Sequence, residues 1–178
     1  AGCNVTYPCK QAVIPHLDSL SEEARAMGAV NTVVIRDGQL VGHNTDGSGW
    51  AWGFTRALPG ADLRRVVLLG AGGAGAAIAH AVLRLGAEHL SIVDAQPERA
   101  AQLAADVNAL YGARAEAADI QAAMAQATGL IHATPTGMDK LPGLPLDVAL
   151  LRPLMWVSEV VYFPLDTALV QACLLYTS

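Results

Sequence analysis

A glycine-rich segment follows a run of apolar residues in the middle of the chain. Residues 70–75 read Gly-Ala-Gly-Gly-Ala-Gly and match the pattern G-x-G-x-x-G. In that pattern Gly70 permits a tight strand-to-helix turn, Gly72 lets the backbone approach a pyrophosphate, and Gly75 lets the helix pack closely on the strand. The pattern predicts a dinucleotide-binding loop, and a plain turn of another α/β fold is the alternative. The residues expected to form the loop are Gly70, Gly72, Gly73, Ala74 and Gly75.

An acidic residue ends the next apolar run. Asp94 stands 24 positions after the first glycine of the loop. A carboxylate there can accept hydrogen bonds from the ribose hydroxyls of NAD, and it would repel the 2′-phosphate of NADP. The two residues that follow are uncharged, and Arg99, about one helical turn further on, is the candidate cation. We therefore expect NAD, with NADP as the alternative, although Asp94 could also cap the helix that begins near Pro97.

The elements around the loop alternate in type. Apolar runs predict strands, and the segments between them have helical character. Strands that alternate with helices predict βαβ units and a parallel sheet. The predicted strands are residues 65–69, 90–94, 129–133 and 156–162; the predicted helices are residues 76–85, 98–111 and 119–126.

The first third of the chain has a different pattern. Residues 11–20 predict a short amphipathic helix, and residues 47–57 predict a longer one. Residues 30–35, which are rich in β-branched side chains, and residues 39–43 are two predicted strands on either side of Asp37-Gly38. That dipeptide favours a type I′ hairpin turn, because both central positions need positive φ. The first part therefore predicts a smaller α/β unit.

The composition narrows the class of protein. Of the 178 residues, 53% are hydrophobic, and 16 Asp and Glu outnumber 11 Lys and Arg, which predicts a folded, acidic chain. This balance argues against nucleic-acid binding. Three cysteines without CxxC spacing and scattered histidines predict neither a disulfide framework nor a metal site. We see no signal peptide and no apolar run of about 18 residues, so we expect a cytoplasmic protein without a membrane segment.

Five short motifs carry a resemblance to a known family. They are, in order, Gly-Cys-Asn-Val-Thr-Tyr-Pro-Cys-Lys at residues 2–10, Gly-Ala-Val-Asn-Thr at 28–32, Gly-His-Asn-Thr-Asp-Gly at 42–47, Ala-Thr-Pro-Thr-Gly-Met at 133–138 and Val-Val-Tyr-Phe-Pro-Leu-Asp-Thr at 160–167. In this combination they closely resemble the shikimate/quinate dehydrogenase family. The resemblance implies a Rossmann-type doubly wound parallel sheet preceded by part of a smaller α/β substrate domain, with the active site in the cleft between them.

The resemblance also implies roles for individual residues. It makes Lys10 and Asp46 the catalytic pair. It assigns substrate binding to Thr6, Asn31 and Tyr162. It adds Ala133, Thr134, Pro135 and Val160 to Asp94, Arg99 and the glycine loop as cofactor-binding residues.

The implied reaction is hydride transfer between NAD and the C3 hydroxyl of shikimate or quinate. The hydroxyl must lose a proton as the hydride leaves, and a lysine–carboxylate pair suits such acid–base work. Which of the two residues carries the proton stays open, as does the choice between shikimate and quinate. The alternatives are an NADP-dependent shikimate dehydrogenase of chorismate biosynthesis and a non-catalytic dinucleotide-binding fragment. The expected partner is a small-molecule substrate, and the expected state is a monomer or a homodimer.

The chain also departs from the family pattern. The family's N-terminal hydroxyl side chains and its returning C-terminal helices are missing, so we expect a fragment whose last few residues are foreign. The family's common Asn-Arg-Ser/Thr string is replaced by Asp94-Ala95-Gln96, which favours the NAD-using branch. The expected division is a partial substrate domain at residues 1–60, a Rossmann domain at 61–166 and the start of a returning helix at 167–178.

Overall fold

The computed structural model describes residues 1–6 and 8–176, and only the backbone of Tyr176. Tyr7, which belongs to the first motif, lies outside the described residues. So do Thr177 and Ser178, the last two of the residues expected to be foreign.

A four-stranded sheet forms the first part of the chain. It contains β1 (Gly2–Asn4), β2 (Ser19–Leu20), β3 (Thr32–Arg36) and β4 (Gln39–His43) in the order β1-β3-β4-β2. The β3–β4 hairpin is antiparallel, and its turn residues Asp37 and Gly38 have φ of 53° and 78°. The predicted hairpin is therefore confirmed, with the positive φ angles that its turn requires.

The predicted helix over residues 11–20 is wrong. The segment contains only a 3₁₀ turn at Ile14–His16, followed by β2. Pro15 lacks the N–H that a longer helix needs. Asp18 also bonds to β4 through both its N–H and its carboxylate, at 2.9 Å and 2.7 Å from Leu40. A short helix, α1 (Glu22–Met27), follows instead, and the side chain of Ser21 caps it.

A five-stranded parallel sheet forms the second part. Its strands are β5 (Arg65–Leu69), β6 (His89–Val93), β7 (Ala115–Ala117), β8 (Gly129–His132) and β9 (Trp156–Glu159), in the order β7-β6-β5-β8-β9. The helices are α2 (Asp46–Ala57), α3 (Gly73–Arg84), α4 (Pro97–Tyr111), α5 (Ile120–Met124) and α6 (Ala168–Tyr176). All pairings in this sheet are parallel, which confirms the predicted Rossmann-type doubly wound fold. The strand order reverses at β5, where such folds place their ligand crevice.

The larger sheet is covered on both faces. Successive residues of β5 belong to opposite cores, because side chains alternate along a strand. Val66 and Leu68 pack in a cluster with residues of α3 and α4. Val67 and Leu69 pack in a second cluster with Met124 of α5. The continuous apolar run in β5 is explained by this double burial.

Helix α2 connects the two sheets. It packs directly on α3, and a Cβ atom added at Gly47 would lie 2.7 Å from the carbonyl oxygen of Ala77. On the same helix, Trp50 Nε1 donates a hydrogen bond to Ser158 Oγ of β9 at 3.0 Å. The expected division of the chain just after α2 stays a prediction, as do the other expected boundaries.

Gly129 provides a test of this packing. A Cβ atom there would lie 1.9 Å from the Trp156 ring, which is held by a bond from its Nε1 to Asp62 O at 2.8 Å. We expect Gly129→Ala to lower the free energy of unfolding by about 2 kcal/mol through overpacking. Gly49→Ala is the control, because a Cβ atom there meets nothing within 4 Å. It should leave stability unchanged or raise it in a thermal melt, and equal losses in both variants would contradict this packing.

Candidate functional site

The carboxylate of Asp46 lies at the first residue of α2, beside Lys10. Lys10 Nζ donates to Asp46 Oδ2 at 2.5 Å, and the two side chains are 22% and 29% exposed. The Asp46 N–H donates to Asn44 Oδ1 at 3.0 Å, and the buried Asn44 amide in turn donates to Ala29 O at 3.0 Å. The position of the carboxylate is therefore fixed by backbone contacts, at a helix N-terminus that favours negative charge.

Asn31 holds the second oxygen of this carboxylate. Its Nδ2 donates to Asp46 Oδ1 at 2.8 Å, while its Oδ1 accepts the Thr45 N–H at 3.0 Å and the Thr32 hydroxyl at 2.9 Å. Both Asp46 oxygens thus have a donor, one from Asn31 and one from Lys10. The structure brings together the first three sequence motifs, which lie far apart in the chain.

The two other residues expected to bind substrate are exposed. Thr6 lies in the turn that leads to Lys10, where its carbonyl oxygen accepts the Cys9 N–H at 2.8 Å. Tyr162 follows β9 and is 79% exposed. Both side chains are open to a ligand, and their roles stay predictions.

The glycine loop has the shape that a pyrophosphate site requires. A Cβ atom at Gly70 would lie 2.8 Å from Ala133 O, and one at Gly75 would lie 1.9 Å from Gly70 O. Gly72, by contrast, faces open space, with nothing within 4 Å of an added Cβ atom. As the N-cap of α3, Gly72 makes no side-chain hydrogen bond to the helix, so the first N–H groups of α3 are available to an anion.

Asp94 is tied to this loop. Its Oδ2 accepts the Ala71 N–H at 2.7 Å, and its Oδ1 accepts the Gln96 N–H at 2.9 Å. Gln96, and not Asp94, is the N-cap residue of α4, so the capping alternative is wrong. An ionised carboxylate has about four acceptor positions, so Asp94 can still accept from ribose hydroxyls. Arg99 lies exposed in the first turn of α4.

The remaining cofactor-binding candidates lie beside the glycine loop. Ala133 N donates to Leu69 O at 2.8 Å, and Val160 N donates to His132 O at 3.0 Å. These bonds place both residues at the carboxyl edge of the parallel sheet. Thr134 and Pro135 follow in the same segment.

The Lys10–Asp46 pair and the glycine loop are neighbours. A Cβ atom at Gly73, the first residue of α3, would lie 3.8 Å from Lys10 Cδ. A dinucleotide phosphate at the start of α3 would therefore lie close to the stem of Lys10. The residues present fit a bound dinucleotide, because Gly72 faces open space and no side chain caps the start of α3.

Sequence reasoning missed a buried network at the ends of β8 and β9. Glu159 Oε1 lies 2.8 Å from His132 Nδ1 and accepts the Val161 N–H at 2.9 Å, while its Oε2 accepts the Thr167 hydroxyl at 2.9 Å. On the other side of the ring, His132 Nε2 lies 2.6 Å from Thr134 Oγ1. The one sequence signal was a glutamate at the end of an otherwise uncharged strand.

Hydrogen bonding controls the ionisation of Glu159. Burial alone would raise its pKa, but bonds from His132, the Val161 N–H and Thr167 outweigh burial and lower the pKa below its ordinary value.

Across residues 1–6 and 8–176, no group of three or more His, Cys, Asp or Glu side chains is arranged to hold a metal ion. Within the same described part, none of the helices has the length and apolar character needed to span a membrane.

Comparison with known families gives two matches. Residues 1–33 match the family described as "Shikimate dehydrogenase substrate binding domain". Residues 65–140 match the family described as "NADP oxidoreductase coenzyme F420-dependent".

Curated relatives match along almost the whole chain. A shikimate dehydrogenase (NADP(+)) of Streptomyces avermitilis is 58% identical over 174 residues, which cover 96% of this chain and 60% of that protein. A quinate/shikimate dehydrogenase (NAD(+)) of Corynebacterium efficiens is 45% identical over 175 residues, which cover 96% of this chain and 62% of that protein. The chain thus spans about 60% of the length of these relatives.

Solved structures show the same fold. Quinate dehydrogenase from Corynebacterium glutamicum in complex with NAD superposes with a TM-score of 0.91 at 43% identity, covering 98% of this chain and 64% of that one. Shikimate 5-dehydrogenase from Listeria monocytogenes in complex with shikimate and NAD superposes with a TM-score of 0.86 at 32% identity, over 98% and 64% of the two chains.

Fold and site together define a Rossmann-type α/β protein in which a second, smaller sheet lies beside the carboxyl edge of the parallel sheet. Over 96% of its sequence and 98% of its fold, this chain is similar to shikimate and quinate/shikimate dehydrogenases.

Glu159 leads to a prediction about acid stability. Its lowered pKa means that the ionised form stabilises the fold above the ordinary value of 4.5, and that this stability is lost as pH falls below it. We expect the melting temperature of Glu159→Gln to fall less between pH 6 and pH 3 than that of the unaltered protein. The control is Glu98→Gln, which removes an exposed carboxylate in the first turn of α4. A pH dependence unchanged by Glu159→Gln would show that the network does not stabilise the ionised carboxylate.

Proposed function

We propose that this chain is the dinucleotide-binding and catalytic part of an oxidoreductase that transfers a hydride between NAD and the C3 hydroxyl of shikimate or quinate. One observation carries the proposal. Lys10 and Asp46 form a 2.5 Å hydrogen bond, and Lys10 Cδ lies 3.8 Å from a Cβ atom added at Gly73, at the start of the helix after the glycine loop. A proton-transfer pair and a dinucleotide site are thus adjacent.

The relatives support this substrate class. The quinate/shikimate dehydrogenase (NAD(+)) of Corynebacterium efficiens and the NAD complex of quinate dehydrogenase from Corynebacterium glutamicum both match 96% or more of the chain. The chain covers 62% and 64% of these two proteins.

In the proposed reaction, each residue of the site has a separate role. The bound nicotinamide ring supplies the hydride acceptor. Asn31 and the Asp46 backbone keep the carboxylate in place, and the carboxylate orients the Lys10 ammonium group. When the substrate hydroxyl loses its proton, the proton goes to the basic member of the pair, which is either Lys10 Nζ as the free amine or a carboxylate oxygen of Asp46, and in the reverse direction the protonated pair returns it to the substrate. Thr6, Asn31 and Tyr162 supply polar groups for the remaining substrate hydroxyls.

An NADP-dependent shikimate dehydrogenase is the second candidate. The shikimate dehydrogenase (NADP(+)) of Streptomyces avermitilis, at 58% identity, favours it. The position of Asp94 favours NAD, because its carboxylate adjoins the loop at Ala71 N and would face the extra phosphate of NADP.

The setting of the protein is also part of the proposal. We infer a cytoplasmic enzyme that acts on a small-molecule substrate as a monomer or a homodimer. The acidic composition supports a soluble setting without nucleic-acid partners.

Substitution of the pair tests the reaction. We expect Lys10→Ala and Asp46→Asn each to lower kcat for shikimate or quinate oxidation by about 10²- to 10⁴-fold in the intact natural protein. The double variant should be little slower than either single one, because the two residues act as a unit. Lys140→Ala is the control, since Lys140 is exposed in a loop. Turnover retained in Lys10→Ala would remove this lysine from the mechanism, and NAD binding without any turnover would favour a non-catalytic dinucleotide-binding module.

Asp94→Asn tests the choice of dinucleotide. The variant keeps the size of the side chain and removes its charge, so NADP should gain on NAD by at least about fivefold in dissociation constant. Thermal shifts of the unaltered protein and the variant with each dinucleotide measure this ratio. Asp119→Asn is the control, because Asp119 also accepts two backbone N–H bonds, at 2.9 Å and 3.1 Å, at the start of α5. A ratio that does not move in Asp94→Asn would refute the electrostatic account.

A further inference from the structure

A buried polar cluster lies at the carboxyl ends of β8 and β9, apart from the proposed proton-transfer pair. His132 is 0% exposed and Thr167 is 1% exposed, and the side chain of Glu159 is 7% exposed. A charged carboxylate in such a place is stable only when hydrogen bonds replace its lost hydration. The proposed proton transfer uses none of these groups, so their presence requires another explanation.

The carboxylate fixes the orientation and the tautomer of the imidazole. Glu159 accepts from the Val161 N–H and the Thr167 hydroxyl, both at 2.9 Å, and its Oε1 lies 2.8 Å from His132 Nδ1. Because an ionised carboxylate can only accept hydrogen bonds, Nδ1 of His132 must carry a proton. In the neutral imidazole, Nε2 is then an acceptor.

The acceptor side of the ring contacts the segment that follows β8. Thr134 Oγ1 lies 2.6 Å from His132 Nε2 and also accepts the Thr136 N–H at 3.3 Å. The Thr134 hydroxyl therefore donates to the imidazole while its oxygen holds the next turn of backbone. On its other side, Thr134 Cγ2 would lie 3.1 Å from a Cβ atom added at Gly70. Thr134 is thus held between the imidazole and the glycine loop.

The far end of the same segment contacts the same network. A Cβ atom added at Gly137 would lie 3.6 Å from the Cβ of Thr167, the residue before α6. Thr167 in turn donates to Glu159. The segment at residues 133–137 is therefore flanked at both ends by residues that bond to one carboxylate, His132 and Thr167.

We propose that His132 is a positioning residue for hydride transfer, whose imidazole, oriented by Glu159, holds Thr134 and the segment after β8 against the glycine loop. This inference rests on the proposed function, in which Ala133, Thr134 and Pro135 of that segment bind the dinucleotide. The imidazole acts through Thr134 and does not contact the reacting atoms.

A double-mutant cycle on NAD binding tests the proposal. We expect His132→Phe and Thr134→Val each to raise the NAD dissociation constant about tenfold in a calorimetric titration of the intact natural protein. The double variant should bind no more weakly than His132→Phe, because a single hydrogen bond couples the two residues. His80→Phe is the matched control: His80 is also buried, 1% exposed, but its Nδ1 bonds to Tyr111 at 3.0 Å. Its NAD affinity should not change.

Turnover and rescue separate positioning from general structural damage. We expect His132→Phe to lower kcat by about ten- to hundredfold with KM for shikimate within about twofold of normal. Thr134→Ser retains the hydroxyl and should restore NAD affinity and kcat. If His132→Phe fails to fold because it leaves Glu159 unpaired, Thr134→Val removes the same bond without exposing that charge and carries the test alone.

A third readout needs neither dinucleotide nor turnover. Nitrogen-15 shifts of the His132 ring should report a proton on Nδ1 in the unaltered protein, and a proton on Nε2 instead would overturn the proposal. Additive losses in the cycle, or an equal loss in His80→Phe, would overturn it as well. Weakened NAD binding in the variants, with no shikimate or quinate turnover in the unaltered protein, would refute the substrate assignment and support the positioning role. Normal turnover in every variant would refute the positioning role and leave the proposed function intact.

Discussion

The close approach of α2 to α3 is the contact on which the site depends. A Cβ atom at Gly47 would lie 2.7 Å from Ala77 O, so only glycine lets the two helices lie this close. The preceding residue, Asp46, is thereby held next to the start of α3, and Lys10, bonded to Asp46, comes to lie beside Gly73. Lys10 and Asp46 come from the turn after β1 and from the start of α2, the anion site comes from the loop between β5 and α3, and the tight contact of α2 with α3 joins them.

A second convergence occurs at the centre of the parallel sheet. The strand order reverses at β5, the position at which doubly wound sheets place the crevice for their ligand. A Cβ atom added at Gly70 would lie 2.8 Å from Ala133 O, so the segments after β5 and β8 begin close together, and the His132–Glu159 network adjoins the segment after β8. The polar network is buried and still fully hydrogen-bonded, and such satisfied networks rigidify the structure around them. Rigidity is what a site for hydride transfer needs, because the reacting atoms must be held in one geometry.

The sequence predicted an element correctly where the interactions that form it are between residues close together in the chain. The β3–β4 hairpin and the β5–α3 unit were predictable, because turn chemistry at Asp37-Gly38 and glycine spacing at residues 70–75 are local signals. The helix expected at residues 11–20 failed because Pro15 lacks a donor and Asp18 bonds to β4, a partner remote in the chain. Strand β7 has only three residues at the edge of the sheet, too few for a periodic pattern.

The sequence by itself determined the class of fold and the glycine loop, because hydrophobic periodicity and short motifs can be read directly from the order of the residues. Through motif resemblance it also gave the identities of the residues in the proposed catalytic pair. Only the tertiary structure decided which groups touch. It placed Asp46 between Asn31 and Lys10, joined Asp94 to Ala71 N of the glycine loop as well as to Gln96 N before α4, and paired His132 with Glu159, 27 residues away. These pairings depend on strand order and helix packing, which bring together side chains that no sequence spacing relates.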